Sequence, residues 1–227
     1  MKAVVSLSGG MDSTTVLAEA VLKHGKDSVM AVGFNYGSKH NPVEIACARL
    51  VADYYGVAFR LVDFSAVTKD FSSNLLSSGG DIPTGHYHEE TMRQTVVPGR
   101  NLIFISILTG LALSVGAKEI WLGIHAGDHF IYPDCRPTFF HAMNAAVNAG
   151  SDEKVELVAP FLHGDKTTII RRGQNLGVPY LLTRTCYTSD TIACGKCGSC
   201  QERLEAFAAN NMEDPIPYVT REILAKA

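Results

Sequence analysis

The sequence predicts an α/β fold: a parallel sheet flanked by helices, followed by a small helical segment that carries four cysteines. Three observations predict it. Short β-branched runs alternate with stretches of helical periodicity along most of the chain, as βαβ crossovers require. A Ser-Gly-Gly turn joins the first run to the first helical stretch. Cys186, Cys194, Cys197 and Cys200 crowd together late in the chain. The 227 residues, 46% of them hydrophobic, suffice for one substantial core. We expect residues 1–180 to form the main domain and residues 181–227 a metal-binding segment packed on it.

Lys2 to Leu7 reads as the first strand. Asp12 to Lys23 places Val16, Leu17, Ala20 and Val21 at helical spacing and ends near Gly25. Val29 to Phe34 is a buried strand. Pro42 to Tyr55 is a helix with Pro42 in its first turn and Gly56 past its end, and Val57 to Val62 is a third strand. Phe64 to Gly99 breaks the rhythm. It is rich in Ser and Gly, contains His86 and His88, and reads as a lid or binding loop. A helix from Asn101 to Val115 follows, with Asn101 placed to cap it, then a strand from Glu119 to Gly123. After a polar loop come a helix from Thr138 to Ala149, a strand from Val155 to Val158 and a helix from Thr167 to Leu176. The C-terminal part holds the cysteines, a helix from Gln201 to Asn210, and a short helix after Pro217.

Twenty Lys and Arg stand against 23 Asp and Glu, a net charge of −3. That balance argues against a broad nucleic-acid-binding face. The N-terminal apolar run is too short for a signal peptide. The best membrane candidate, Leu102 to Val115, is short for a span and interrupted by Ser106, Thr109 and Ser114. A cytoplasmic protein is expected, and clustered cysteines there point to metal rather than disulfides.

Ser8-Gly9-Gly10-Met11-Asp12-Ser13 lies where the first strand meets the first helix. A helix N-terminus offers unpaired N–H groups and partial positive charge. Two glycines allow close approach of backbone to an anion, and Ser8, Ser13 and Thr14 add hydroxyls, so the turn suits a phosphate. It lacks the Walker A spacing and lysine, and it is not the Rossmann G-x-G-x-x-G. The string matches the S-G-G-x-D-S signature of PP-loop ATP pyrophosphatases. That resemblance implies cleavage of ATP between the α and β phosphates and transfer of AMP to a carbonyl oxygen. Asp12 offers hard oxygen for Mg²⁺ there.

The cysteines at x7, x2 and x2 spacing, with Gly195 and Gly198 between them, suit a tetrahedral Zn²⁺. Four thiolates also hold iron–sulfur clusters; zinc is preferred because nothing else suggests electron transfer. All-thiolate ligation makes the site structural. Cys47 reads as a small core residue, while Cys135 lies in a polar loop. Arg100 suits a phosphate or carboxylate through its fixed fork, and Lys166 suits a phosphate. The loop of His125, Asp128, His129, Tyr132, Asp134 and Arg136 follows a sheet strand, where open α/β sheets bind ligands. Asp128 and Asp134 suit N–H donors of a guanine-like edge.

SGGMDST, NYGSKH at Asn35–His40, VPGRN at Val97–Asn101, YPDCRP at Tyr132–Pro137 and the terminal C-x7-C-x2-C-x2-C occur in that order. Together they resemble the 7-cyano-7-deazaguanine synthase family over essentially the whole chain. The resemblance implies an adenine nucleotide α-hydrolase-like fold. It also implies an ATP-dependent ligase taking 7-carboxy-7-deazaguanine and ammonia to the nitrile, through adenylated carboxylate and amide, for queuosine or related deazaguanine synthesis. Carried over, the nucleotide site is Leu7, Ser8, Gly9, Gly10, Met11, Asp12, Ser13, Thr14, Thr15, Val16 and Leu17. The catalytic candidates are Ser8, Asp12, Ser13, Arg100 and Lys166, and the substrate pocket is Arg100, Asp128, Tyr132, Asp134 and Arg136. The metal ligands are the four cysteines, and a homodimer is implied. One departure is Phe130–Ile131, where the family carries a small pair; it leaves open a relative that stops at the amide or uses another acyl acceptor. The rivals are a PP-loop tRNA-modifying enzyme, which the acidic balance disfavours, and a zinc-stabilised nucleotide sensor, which the polar loop disfavours. No glutaminase-like G-x-C-x-G appears, so free ammonia or a partner supplies the nitrogen.

Overall fold

The computed structural model describes residues 1–85, 90–188 and 190–224; His86 and His88 lie outside them. Five parallel strands form one sheet in the order β3-β2-β1-β4-β5: β1 (Ala3–Ser6), β2 (Val29–Asn35), β3 (Ala58–Asp63), β4 (Glu119–Trp121) and β5 (Glu156–Val158). Every strand expected from the sequence is present. β1 is central, with Val4 opposite Met30 on one side and Ile120 on the other. The chain runs outward from β1 to β3, then crosses back to place β4 against the free side of β1. A crevice opens where neighbouring connections diverge in this way, at the carboxyl ends of β1 and β4.

Side chains alternate along β1 and so divide the core. Val4 faces a cluster with Met30, Val32, Ile105, Leu108 and Ile120. Ala3 and Val5 face Leu17, Ala31, Val51, Trp121 and Ile169. The first layer is covered by α4 (Arg100–Ser114) and α5 (Pro137–Ala149), the second by α1 (Met11–His24), α2 (Asn41–Tyr55) and α6 (Lys166–Asn175). Burial of β1 and β2 on both faces explains their near-continuous apolar runs.

Three expectations are corrected. Phe64 to Gly99, read as an irregular lid or binding loop, has regular structure among its described residues. It contains α3 (Ser65–Thr68) and a 3₁₀ turn (Glu90–Thr95), and it buries Leu75, Leu76 and Met92, because these apolar side chains fill the edge of the first core layer. Asn101 does not cap α4. The helix starts one residue earlier, behind Gly99 at φ 63, and the Asn101 N–H donates to the Asp134 carboxylate (2.8 Å). No helix follows Pro217 among the described residues. That stretch pairs instead with the cysteine segment, the Val219 N–H donating to the Ala193 carbonyl (2.8 Å).

The apolar stretch Met92–Ser114 has the length and composition of a membrane span. In the fold it is broken between the 3₁₀ turn and α4, and α4 itself has 15 residues, against the ~20 a span needs.

The C-terminal segment packs through α7 (Gly198–Ala209), whose Phe207 and Ala206 join Met11, Ile170 and Tyr180 in a third cluster. Arg203 and Asp214 form a fully buried bidentate pair (2.7 and 2.9 Å). The same guanidinium donates to the hydroxyls of Thr183 (2.7 Å) and Thr185 (3.1 Å) and to the Tyr180 carbonyl (3.2 Å). A buried charge pair is tolerated only when its remaining donors are satisfied, and here they are.

Candidate active site

A cavity of about 190 Å³ opens at the carboxyl ends of β1 and β4. Its floor is the Ser8–Ser13 turn. Gly9 has φ 82, and a Cβ there would meet the Ala48 nitrogen and the Glu44 carbonyl at 2.6 Å, so only glycine lets the turn lie against α2. The Ser13 hydroxyl donates to the Gly10 carbonyl (3.2 Å) and accepts from the Ser8 N–H (3.2 Å), and the two hydroxyls are 3.0 Å apart. Gly10 caps α1 without a side-chain hydrogen bond. The first-turn N–H groups therefore face the cavity uncapped, a geometry that favours an anion.

On one side stands a charged cluster. Lys166, the first residue of α6, is buried, with its Nζ 2.6 Å from Glu202 Oε2 and 3.6 Å from Asp12 Oδ2. Burial opposes its charge, but Asp12, Glu202 and Asp128 outweigh burial and raise its pKa. His125 is buried, its Nδ1 accepting from the Gly127 N–H (3.1 Å). That bond leaves the proton on Nε2, which lies 3.4 Å from Asp128 Oδ2 and 3.8 Å from Asp12 Oδ2. Among the described residues the buried Asp12 Oδ1 accepts no hydrogen bond. An orphaned hard oxygen beside a phosphate-type turn fits a divalent cation.

On the other side lies a polar aromatic pocket. Arg100 stacks over Tyr36 (5.9 Å) and Tyr132 (5.7 Å), and Phe34 stacks on Phe104 (4.1 Å). Burial lowers the His40 pKa to about 3, with Arg100 adding to the effect, so the imidazole is neutral. Burial pushes the Glu44 carboxyl up to about 7 against the opposing pull of Arg100 and Asn41. Cys135 lines the wall. Burial, then Asp128 and Asp134, hold its thiol well above the usual range, which favours the protonated form over the thiolate.

The structure brings Leu7, Ser8, Gly10, Asp12, Ser13, Arg100, Asp128, Tyr132 and Lys166 to this one cavity. Asp134 and Arg136 are not in its lining: Asp134 accepts the α4 N-terminus, and Arg136 Nε donates to the His129 carbonyl (2.9 Å). Phe130 is exposed and Ile131 is buried in the first core layer, so neither lines the cavity. Sequence reasoning missed Glu202 and did not weigh Tyr36, His40 and Glu44 one by one. The last three follow β2 within and just after the NYGSKH string, which was the available signal. Glu202 had none, because only the packing of α7 on α6 brings it to Lys166.

The sulfurs of Cys186, Cys194, Cys197 and Cys200 lie within 4.8 Å of one another. The Cys194 N–H donates to Cys186 Sγ (3.3 Å), and the Lys196 and Cys197 N–H groups donate to Cys194 Sγ (3.4 and 3.3 Å), bonds that favour thiolate. Tetrahedral zinc at ~2.3 Å from sulfur places thiolates about this close. Cys186 and its neighbours Arg184, Thr185 and Tyr187 form the cavity wall facing the pocket.

A parallel sheet whose central strand leads into the SGGMDS turn at the point where its connections diverge defines a PP-loop protein of the adenine nucleotide α-hydrolase-like class. A solved structure with this architecture, the U34-tRNA thiolase NcsA of Methanococcus maripaludis with its [4Fe-4S] cluster, is similar with TM-score 0.50 and 16% identity. The similarity spans 93% of this chain and 65% of that one. Residues 2–211 match the family model described as queuosine biosynthesis protein QueC, and the chain belongs to that family. Curated relatives include the 7-cyano-7-deazaguanine synthase of Pseudoalteromonas atlantica, 49% identical over 96% of this chain and 98% of that one. That of Hahella chejuensis is 46% identical over 96% and 93%.

Proposed function

We propose that this chain is a carbon–nitrogen ligase, a 7-cyano-7-deazaguanine synthase acting in queuosine biosynthesis. The observation that carries the reading is one cavity joining the Ser8–Ser13 turn to a polar aromatic pocket, in a chain nearly half identical to proteins of that name. The substrates are 7-carboxy-7-deazaguanine, ATP and ammonia. The carboxylate oxygen attacks the α phosphorus and pyrophosphate leaves. Ammonia then displaces AMP to give the amide and releases a proton. The amide oxygen attacks a second ATP, pyrophosphate leaves again, and the adenylated amide loses AMP and both of its N–H protons to give the nitrile.

The uncapped N–H groups of α1, with the Ser8 and Ser13 hydroxyls, hold the phosphates. Lys166 stabilises charge on the transferring group, an effect worth about 10²–10³ in rate at comparable sites. His125 and Glu202 keep Asp12 and Lys166 in place. Asp12 is the residue to hold Mg²⁺, which would neutralise pyrophosphate charge. Arg100 and Tyr132 contact the deazapurine. Asp128 borders it from the charged side, and Asp134 and Arg136 hold the loop that presents Tyr132. The four cysteines hold a structural zinc. Their mutual closeness suits a single ion, whereas a multi-iron cluster would spread the sulfurs apart. The protein works in the cytoplasm as a homodimer. It needs no nucleic acid, and the buried, protonated Cys135 thiol weighs against thiolase chemistry.

The test is a mass-spectrometric assay with the acid, ATP, Mg²⁺ and ammonium. We expect nitrile with two AMP per turnover. Amide alone would make the chain a relative that stops midway, and no AMP would overturn the assignment.

A further inference from the structure

Three carboxylates line the cavity among the described residues: Asp12, Asp128 and Glu44. The first two belong to the charged cluster around Lys166 and His125. Glu44 stands apart, on the first turn of α2, among rings. Its Oε2 is 3.3 Å from Asn41 Nδ2 and 3.6 Å from His40 Nε2. Its Oε1 accepts no hydrogen bond among the described residues and is not one of the fully buried atoms. His40 Nδ1, buried, likewise has no partner there. Asn41 is itself fixed, its side chain bonding the Tyr36 and Ser38 N–H groups (3.0 Å each) and the Phe34 carbonyl (3.1 Å). The carboxylate is thus held by a rigid turn beside Arg100, Tyr36 and Phe104.

We propose that Glu44 is the specificity-determining residue of this site: it accepts the two parallel N–H donors of a 2-amino-4-oxo pyrimidine ring, the guanine-like edge of the deazapurine. This inference rests on the synthase reading above. A ring nitrogen N–H and a neighbouring exocyclic amine point the same way and match the two oxygens of one carboxylate. The Arg100 fork offers donors to the ring carbonyl or to the substrate carboxylate, and the Tyr36 and Tyr132 rings give flat walls. Burial raises the Glu44 pKa to about 7, and two arriving N–H donors favour the ionised form.

The experiment compares 7-carboxy-7-deazaguanine with its analogue lacking the 2-amino group, in wild type and in Glu44→Gln. Wild type is expected to prefer the amino substrate by about 10- to 100-fold in kcat/KM, the range of a good bidentate contact. Glu44→Gln, which replaces one acceptor by a donor, is expected to raise KM for the acid by a similar factor, to erase the preference, and to leave KM for ATP within about twofold. A variant that keeps the preference overturns the inference. So does one in which KM for ATP rises instead, since Glu44 would then face the adenosine. Should the variant fail to fold, the wild-type ratio decides alone, and a ratio near one overturns the proposal. If wild type consumes no acid with either base, the synthase reading itself has failed.

Discussion

Gly9 shows how one residue couples fold to site. At φ 82, with α2 backbone atoms 2.6 Å from any added Cβ, alanine costs roughly 1–2 kcal/mol for the left-handed backbone before the clash. Gly10 sits at φ −79, and its added Cβ would meet nothing closer than 3.3 Å. Gly9→Ala is therefore expected to lower Tm by several degrees, at ~2–4 °C per kcal/mol for a chain of this size, and to lose the thermal shift on adding ATP with Mg²⁺. Gly10→Ala should melt near wild type. Equal melting of the two variants in a thermal scan would refute the close-approach argument. At the same scale, Asp12 and Lys166 were legible from the sequence as residue types at motif positions. Glu44 was not, because a glutamate in a first helical turn reads as ordinary dipole compensation.

Among the elements, α4 carries the clearest unmet demand. Only Ile105, Leu108 and Ala112 are buried along its 15 residues, while Leu102 is 49% and Leu113 36% exposed. The helix is apolar nearly all round, which in a globular protein calls for cover on more than one side. The proposed homodimer would supply that cover. We expect light scattering to give twice the 24.5 kDa chain mass, and Leu102→Glu to give a monomer. A wild-type monomer at working concentration would remove the dimer from the account. The strands and the helices that cover the sheet were readable to within a residue or two, because their periodicity reflects burial on known faces, whereas α7 begins three residues before the expected Gln201. The regular pieces of the Phe64–Gly99 segment were not legible, because its contribution to the core is a few isolated apolar residues without a period.

Across the whole molecule, the cysteine segment is part of the site rather than an appendage. Cys186 follows Arg184 and Thr185 in the cavity wall, and Arg203 on α7 ties Thr183 and Thr185 to Asp214. Thr84 and Gly85 of the long loop pair with Cys197 and Lys196. Metal removal should therefore loosen one wall of the cavity. Zinc is expected at one ion per chain, without the visible absorption of an iron cluster. Chelation should lower Tm and weaken the ATP-induced shift, and Zn²⁺ should restore both. Full retention of that shift after verified metal loss would show that the wall stands without the ion.

The sequence by itself determined the α/β class, the glycine turn between the first strand and helix, the four-cysteine cluster and the family. Each of these is written in local order: a repeat of strand and helix, six consecutive residues, four cysteines at fixed spacing. Only the tertiary structure decided which polar groups share a cavity. It set Glu202 on Lys166 across 36 positions, turned Asp134 away to hold α4, and left Glu44 among the rings. Those placements depend on how helices distant in sequence pack over the sheet, and packing is a property of summed contacts that no local pattern encodes.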